Sequence, residues 1–160
     1  MTIDIEHHTK MAENLELGVF VQDCCRGLDP LGVGYAKLFH AKGLESGMLG
    51  SAAVALFECG LDVYFYDSER KRFFLINLED VGHVIDLGCS PVRLFARALM
   101  LRFEWDEDAQ EASVLKTQAE KYGFSRFDEF HQEFYAEWLK SPTYPEFERW
   151  KIRKLESLDK

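Results

Sequence analysis

VYFYDSERKRFFLIN, residues 63–77, is the stretch on which the fold turns. Two apolar, aromatic runs flank a charged knot, Asp67-Ser68-Glu69-Arg70-Lys71-Arg72. Aromatic and β-branched residues suit a pleated surface. Asp and Ser form turns through their own backbone. The stretch therefore predicts a hairpin, with strands over 61–66 and 72–77 and a turn over 67–71. In the first strand Leu61, Val63 and Phe65 point one way, and Asp62, Tyr64 and Tyr66 the other. Phe73 to Ile76 is continuously apolar, which predicts a central strand covered on both faces. Arg70, Lys71 and Arg72 lie beside Asp67 and Glu69, so the knot reads as a solvated hairpin tip before it reads as a basic binding site.

Working outward, Ala53 to Glu58 forms an earlier strand, with Cys59-Gly60 at turn length after it. His83 to Leu87 fits a short fourth strand. Consecutive strands on short loops give an antiparallel meander of three to four strands within residues 51–87. Residues 9–43 read as helical with interruptions. Met11, Leu15, Val19 and Phe20 recur near helical spacing, Arg26-Gly27 is a stop, and Asp29-Pro30 is a new start. Residues 90–158 read as helical. Ser90-Pro91 opens a helix with Val92, Phe95, Leu99 and Phe103 on one side. The acidic segment from Glu104 sits where the next helix begins, and that helix stops at Gly123. Ser125-x-x-Asp128 has the form of a capping box, followed by a buried face of Phe127, Phe130, Phe134, Trp138 and Leu139. Thr143-Tyr144-Pro145 opens a last helix with Phe147, Trp150 and Leu155 inward. The expected fold is α+β: a single domain over 1–160, the meander packed against several helices, with a helix-rich C-terminal third.

The 160 residues include 13 Phe, 6 Tyr and 3 Trp, a composition able to build a real core. The net charge is −9. Residues 104–160 carry 14 acids against 9 bases, the largest excess along the chain. An acidic balance disfavours binding to nucleic-acid backbones and to anionic membranes. It suits solubility, or a basic protein partner drawn in by the field. No apolar run is long enough for a membrane span, and the N-terminus lacks a signal-peptide build. Cys24, Cys25, Cys59 and Cys89 form no CxxC, so free thiols in a reducing cytoplasm are expected.

Catalytic signatures are missing from the sequence. No GxSxG, HExxH or EF-hand pattern occurs, and Gly27 to Gly34 lacks the order of a phosphate loop. His7-His8 is a poor metal pair, because neighbours on a helix point about 100° apart. Cys24 and Cys25 could be reactive only beside an oriented histidine, and neither His40, His83 nor His131 is joined to them by spacing. Buried structural cysteine is the simpler reading. No catalytic residue, metal ligand or cofactor is therefore assigned.

The order from residue 51 to 101 is strand, tight turn, aromatic strand VYFYD, charged turn SERKR, apolar strand FFLIN, loop, then VIDLGCSPVRLFARAL. This resembles the SUKH superfamily, with its hairpin of aromatic-x-aromatic-Asp, turn and apolar strand, then a Ser-led helix with an early Phe. Tyr64, Tyr66 and Asp67 match the first strand's end, Phe73 to Ile76 the second strand, and Ser90 with Phe95 the helix start. The resemblance implies an α+β fold and a bacterial immunity protein that binds and neutralises a toxin, often a nuclease, of polymorphic or contact-dependent systems.

On that reading the contact is the acidic segment Glu104, Trp105, Asp106, Glu107, Asp108 and Glu111, which holds five acids in eight residues and no base. The expected partner is a basic cognate toxin, occluded by acids and exposed aromatics. Homodimerisation is left open. The alternatives are a small enzyme assembled from scattered residues such as Cys89, His83 and a carboxylate, and a structural or oligomerisation module.

Overall fold

The protein is described from a computed structural model, in which residues 5–31, 52–59, 61–105, 112–140 and 143–158 are placed. It has an α+β fold, with one four-stranded antiparallel sheet and, among the described residues, six helices. The helices α1 (Ile5–Asn14) and α2 (Val19–Cys25) precede the sheet. The strands are β1 (Ala53–Cys59), β2 (Asp62–Asp67), β3 (Arg72–Asn77) and β4 (Asp80–Gly88). Helices α3 (Val92–Trp105), α4 (Ala112–Lys121), α5 (Phe127–Lys140) and α6 (Tyr144–Ser157) follow.

The sheet order is β1-β2-β3-β4, a meander without crossovers. The opening hairpin is as expected: Asp67 pairs with Arg72, and Asp62 with Asn77. Asp67 Oδ1 accepts the backbone amides of Glu69 (3.0 Å) and Arg70 (2.9 Å), and its Oδ2 accepts Arg70 Nε at 2.8 Å. The Arg70 guanidinium also lies 4.8 Å from the Phe74 ring centre. Arg72 pairs with Asp86 across the strands. The charged knot is thus a hairpin tip, tied together by its own acid.

Alternation divides the sheet into two faces. Tyr64, Tyr66, Phe73, Leu75 and Leu87 join the large core shared with every helix. Ala55, Val63, Phe65, Phe74 and Ile76 form a second cluster on the other face. Phe73 to Ile76 is buried throughout, so β3 is covered on both sides. Among the described residues no helical side chain belongs to the second cluster. A register shift between Ala55 and Phe57 lets Leu56 and Phe57 both face the helices, as a bulge does.

Two glycine stops hold. After α2, Gly27 (φ 84°) donates to Cys24 O and Leu28 to Asp23 O. After α4, Gly123 (φ 82°) donates to Glu120 O and Phe124 to Ala119 O. Both are Schellman ends. After Gly123 the next apolar residue, Phe124, returns to the core, whereas Leu28 after Gly27 is 52% exposed. The helix start at Asp29-Pro30 falls almost wholly outside the described residues.

Four expectations need correction. β4 is nine residues, longer than 83–87, because it pairs along most of β3. Glu104 and Trp105 complete α3 instead of opening the next helix, since Glu104 is tied to Lys151 of α6. α5 begins at Phe127, so Arg126 and not Ser125 stands at its cap position, and the Asp128 side chain pairs with Lys116 of α4 (2.6 Å). On α5, Phe127, Phe130 and Phe134 are buried, but Trp138 is 43% and Leu139 85% exposed. Leu139 follows Phe134 by five residues, which turns it about 140° off the buried stripe.

Candidate functional site

A cleft of about 250 Å³ opens where the β3–β4 turn meets α3 and α6. Its lining runs from Asn77, Glu79, Asp80, His83 and Ile85 on the sheet side to Arg97, Tyr144, Glu148 and Ile152 on the helices. The sheet side is shaped by a register jump. Ile76 pairs with Val84 but Asn77 pairs with Asp80, so Val81, Gly82 and His83 have no partner on β3. Such a bulge re-aims side chains at a sheet margin. The helix side is set by the start of α6, where the Thr143 side chain accepts the Glu146 amide and Pro145 sits in the first turn. Tyr144, Glu148 and Ile152 then fall at four-residue intervals on one line of the helix.

The cleft backs onto a buried polar chain. Arg97 Nε donates to Asp62 Oδ2 at 2.9 Å, and Asn77 Nδ2 donates to Asp62 Oδ1 at 2.7 Å. Arg97 Nη1 stands 3.7 Å from Glu148 Oε2. Glu148 pairs in turn with Lys151, and Lys151 with Glu104. Lys151 is only 2% exposed and lies against the Tyr144 and Phe147 rings. Alternating charge along this chain joins the sheet to both helices. Three buried atoms of this group lack a hydrogen bond, Arg97 Nη1, Tyr64 Oη and Glu148 Oε1, although the last is in ion-pair contact with Lys151. Unmet polar atoms in a core are uncommon and draw notice to a site.

Burial disfavours the charge on Arg97, but Asp62 outweighs it and holds the guanidinium firmly protonated. Burial likewise raises Glu148, yet Arg97 and Lys151 bring its carboxyl below the ordinary value. Burial, with Glu104 and Glu148 close by, pushes the Tyr144 hydroxyl up. At the mouth, Glu79, Asp80 and His83 are exposed and make no ion pair among the described residues. The opening is therefore rimmed by unmatched carboxylates, with aliphatic and aromatic walls behind.

Of the acidic contact residues named from sequence, Glu104 is turned inward, its side chain 13% exposed against Lys151. Trp105 is the last residue of α3. Asp106, Glu107, Asp108 and Glu111 lie outside the described residues. Of the scattered enzyme candidates, His83 lines the cleft while Cys89 follows the far end of β4, where it accepts from Arg72 Nη1 at 3.1 Å. Six residues of strand separate them by about 20 Å, so the structure does not bring them together. Cys24, Cys25 and Cys59 are buried. Burial pushes the Cys25 thiol up to about 12 and raises the other two as well.

Sequence reasoning missed Asp62, Arg97, Tyr144, Glu148 and Lys151 as a group. One signal was available: Phe147, Lys151 and Leu155 share a helical stripe, so a lysine sits where an apolar residue belongs. Among the described residues, no group of three or more His, Cys, Asp or Glu is placed to hold a metal ion. No helix among them is long and apolar enough to cross a membrane. No family model, curated protein or solved structure matches the chain.

Proposed function

We propose that this is a binding protein that works without catalysis, an immunity protein that neutralises a basic bacterial toxin in the cytoplasm by covering its surface or active site. One observation carries the reading, the separation of charge between interior and surface. Three buried acids pair with bases, Asp23 with Arg26, Asp62 with Arg97 and Asp67 with Arg70, and the half-buried Glu104 pairs with Lys151. The net charge of −9 is therefore a surplus left outside those pairs. A surface of that sign speeds encounter with a cationic protein and rejects anionic ones. The SUKH-like hairpin and the α+β frame lean the same way.

The test is to look immediately upstream of the gene for a reading frame with a C-terminal toxin domain, to coexpress the two, and to measure association kinetics with the purified pair. Restored growth, and an association rate that falls steeply with salt, are expected. Lack of protection together with no association at low salt would overturn the reading.

Self-association is a second reading, favoured by Trp138, Leu139 and Tyr144, which are 43%, 85% and 59% exposed near the α5–α6 connection. Exposed apolar groups gathered in one place mark contact surfaces. Native mass across a concentration series checks it. A mass that rises with concentration, and stays monomeric for Leu139→Glu, supports it.

A further inference from the structure

We propose that the cleft between the β3–β4 turn and α6 is a receptor for one basic residue, lysine or arginine, of a peptide segment on the partner. The inference rests on the partner being a cationic protein and adds where and how it is gripped. Three features of the cleft agree on that ligand. First, Glu79, Asp80 and Glu148 line it, and the first two are exposed with no ion pair among the described residues. The cations nearby are already engaged, Arg97 by Asp62 and Lys151 by Glu104 and Glu148. The empty electrostatic role is positive.

Second, the walls suit the stem of such a side chain. Ile85 and Ile152 are apolar, and the half-exposed Tyr144 ring offers a face for a cation. A volume of about 250 Å³ admits one long side chain and excludes a folded element. Third, Arg97 is a lining residue, 93% buried by its 7% side-chain exposure, and its Nη1 makes no hydrogen bond. That donor stands 3.7 Å from Glu148 Oε2, an ion-pair contact without a hydrogen bond, and an acceptor within the same ligand would complete it. A basic residue in a peptide has both parts, a cationic head and a main-chain carbonyl. A free cation has only the first, and an acidic residue would meet the carboxylates of the rim.

The probe is Nα-acetyl-L-arginine amide, titrated into the full chain and followed by the resonances of His83, Ile85 and Ile152. An alkylguanidine and Nα-acetyl-L-glutamate amide serve as comparisons. Saturable shifts confined to the cleft are expected, tightest for the arginine amide, weaker for the alkylguanidine and absent for the glutamate amide. Glu79→Gln with Asp80→Asn, both on the exposed rim, should weaken binding at least tenfold without changing the melting temperature. Shifts spread over all surface acids, or equal binding by the doubly substituted chain, would overturn the proposal. Salt-sensitive binding of a cationic toxin domain that ignores the double substitution would remove the cleft while leaving the immunity reading. Arginine-amide binding in the cleft without any toxin association would do the reverse.

Discussion

Arg97 of α3 reaches Asp62 of β2 through Nε at 2.9 Å, with side chains only 7% and 2% exposed. The pair fastens helix to sheet from inside the core. Removing one partner of a buried ion pair strands the other charge, at a cost of about 3–5 kcal/mol. Arg97→Met is expected to lose that much in urea denaturation. Arg97→Met with Asp62→Asn should recover part of the loss, because no lone charge then remains. Equal stability of the single and double variants would contradict this.

Glu104 belongs to the same chain of charges, so its role is structural. Lys151, 2% exposed, leans on Glu104 and Glu148. Glu104→Gln weakens a charged hydrogen bond, worth about 1.5–3 kcal/mol. The denaturation midpoint should fall accordingly, while the rate of association with a basic partner changes little. A slower association at unchanged stability would instead place Glu104 in the contact.

The hairpin tip contains a backbone misfit that can be relieved. Lys71 holds φ 54°. A side chain in the left-handed region costs about 1–2 kcal/mol, against roughly 0.5–1 kcal/mol of entropy for glycine. Lys71→Gly should therefore raise stability by about 0.5–1 kcal/mol, and Lys71→Val should lower it. Thermal unfolding of the two variants decides the matter.

Asp67 gives the same turn a pH dependence. The Arg70 amide, helped by the Arg70 side chain and the Glu69 amide, holds its carboxyl below the ordinary 3.8. A group depressed in the folded state contributes stability above its unfolded value and loses it as pH falls through the folded one. The stability gap between the native chain and Asp67→Asn should thus be constant from neutrality down to about pH 4, and should close below it. A gap that persists at pH 2 would refute the assignment.

The thiols should divide three to one. Cys24, Cys25 and Cys59 are buried and Cys89 is exposed. Thiolates are the reactive form, and burial has raised the first three far above neutrality. An aromatic disulfide reagent at pH 7.5 should label Cys89 promptly and the rest only in denaturant. Cys89→Ser should abolish the prompt phase.

Much of the frame was legible because local rules and burial agree there. Alternation along 63–66, the apolar run 73–76 and the glycine stops at Gly27 and Gly123 each specify one outcome. The cleft was not legible, because it is made by residues far apart in sequence. Asp62 and Arg97 are separated by 35 positions, and no periodicity signals that two charges will meet in a core. Lys151 did leave a trace, as the lone charge on the stripe of Phe147 and Leu155. Cys89 and His83 looked like partners only because a strand's length is invisible in a list of residues.

The uncrossed meander carries a consequence for assembly. All four strands lie within residues 53–88, and each is bonded to its neighbour in sequence. Such local pairing closes small loops and forms early. Pulsed hydrogen exchange should find β2 and β3 amides protected ahead of those in α6. The helical layer then arrives on a surface already in register, and the cleft, which needs both layers, is the last part of the molecule to come into being.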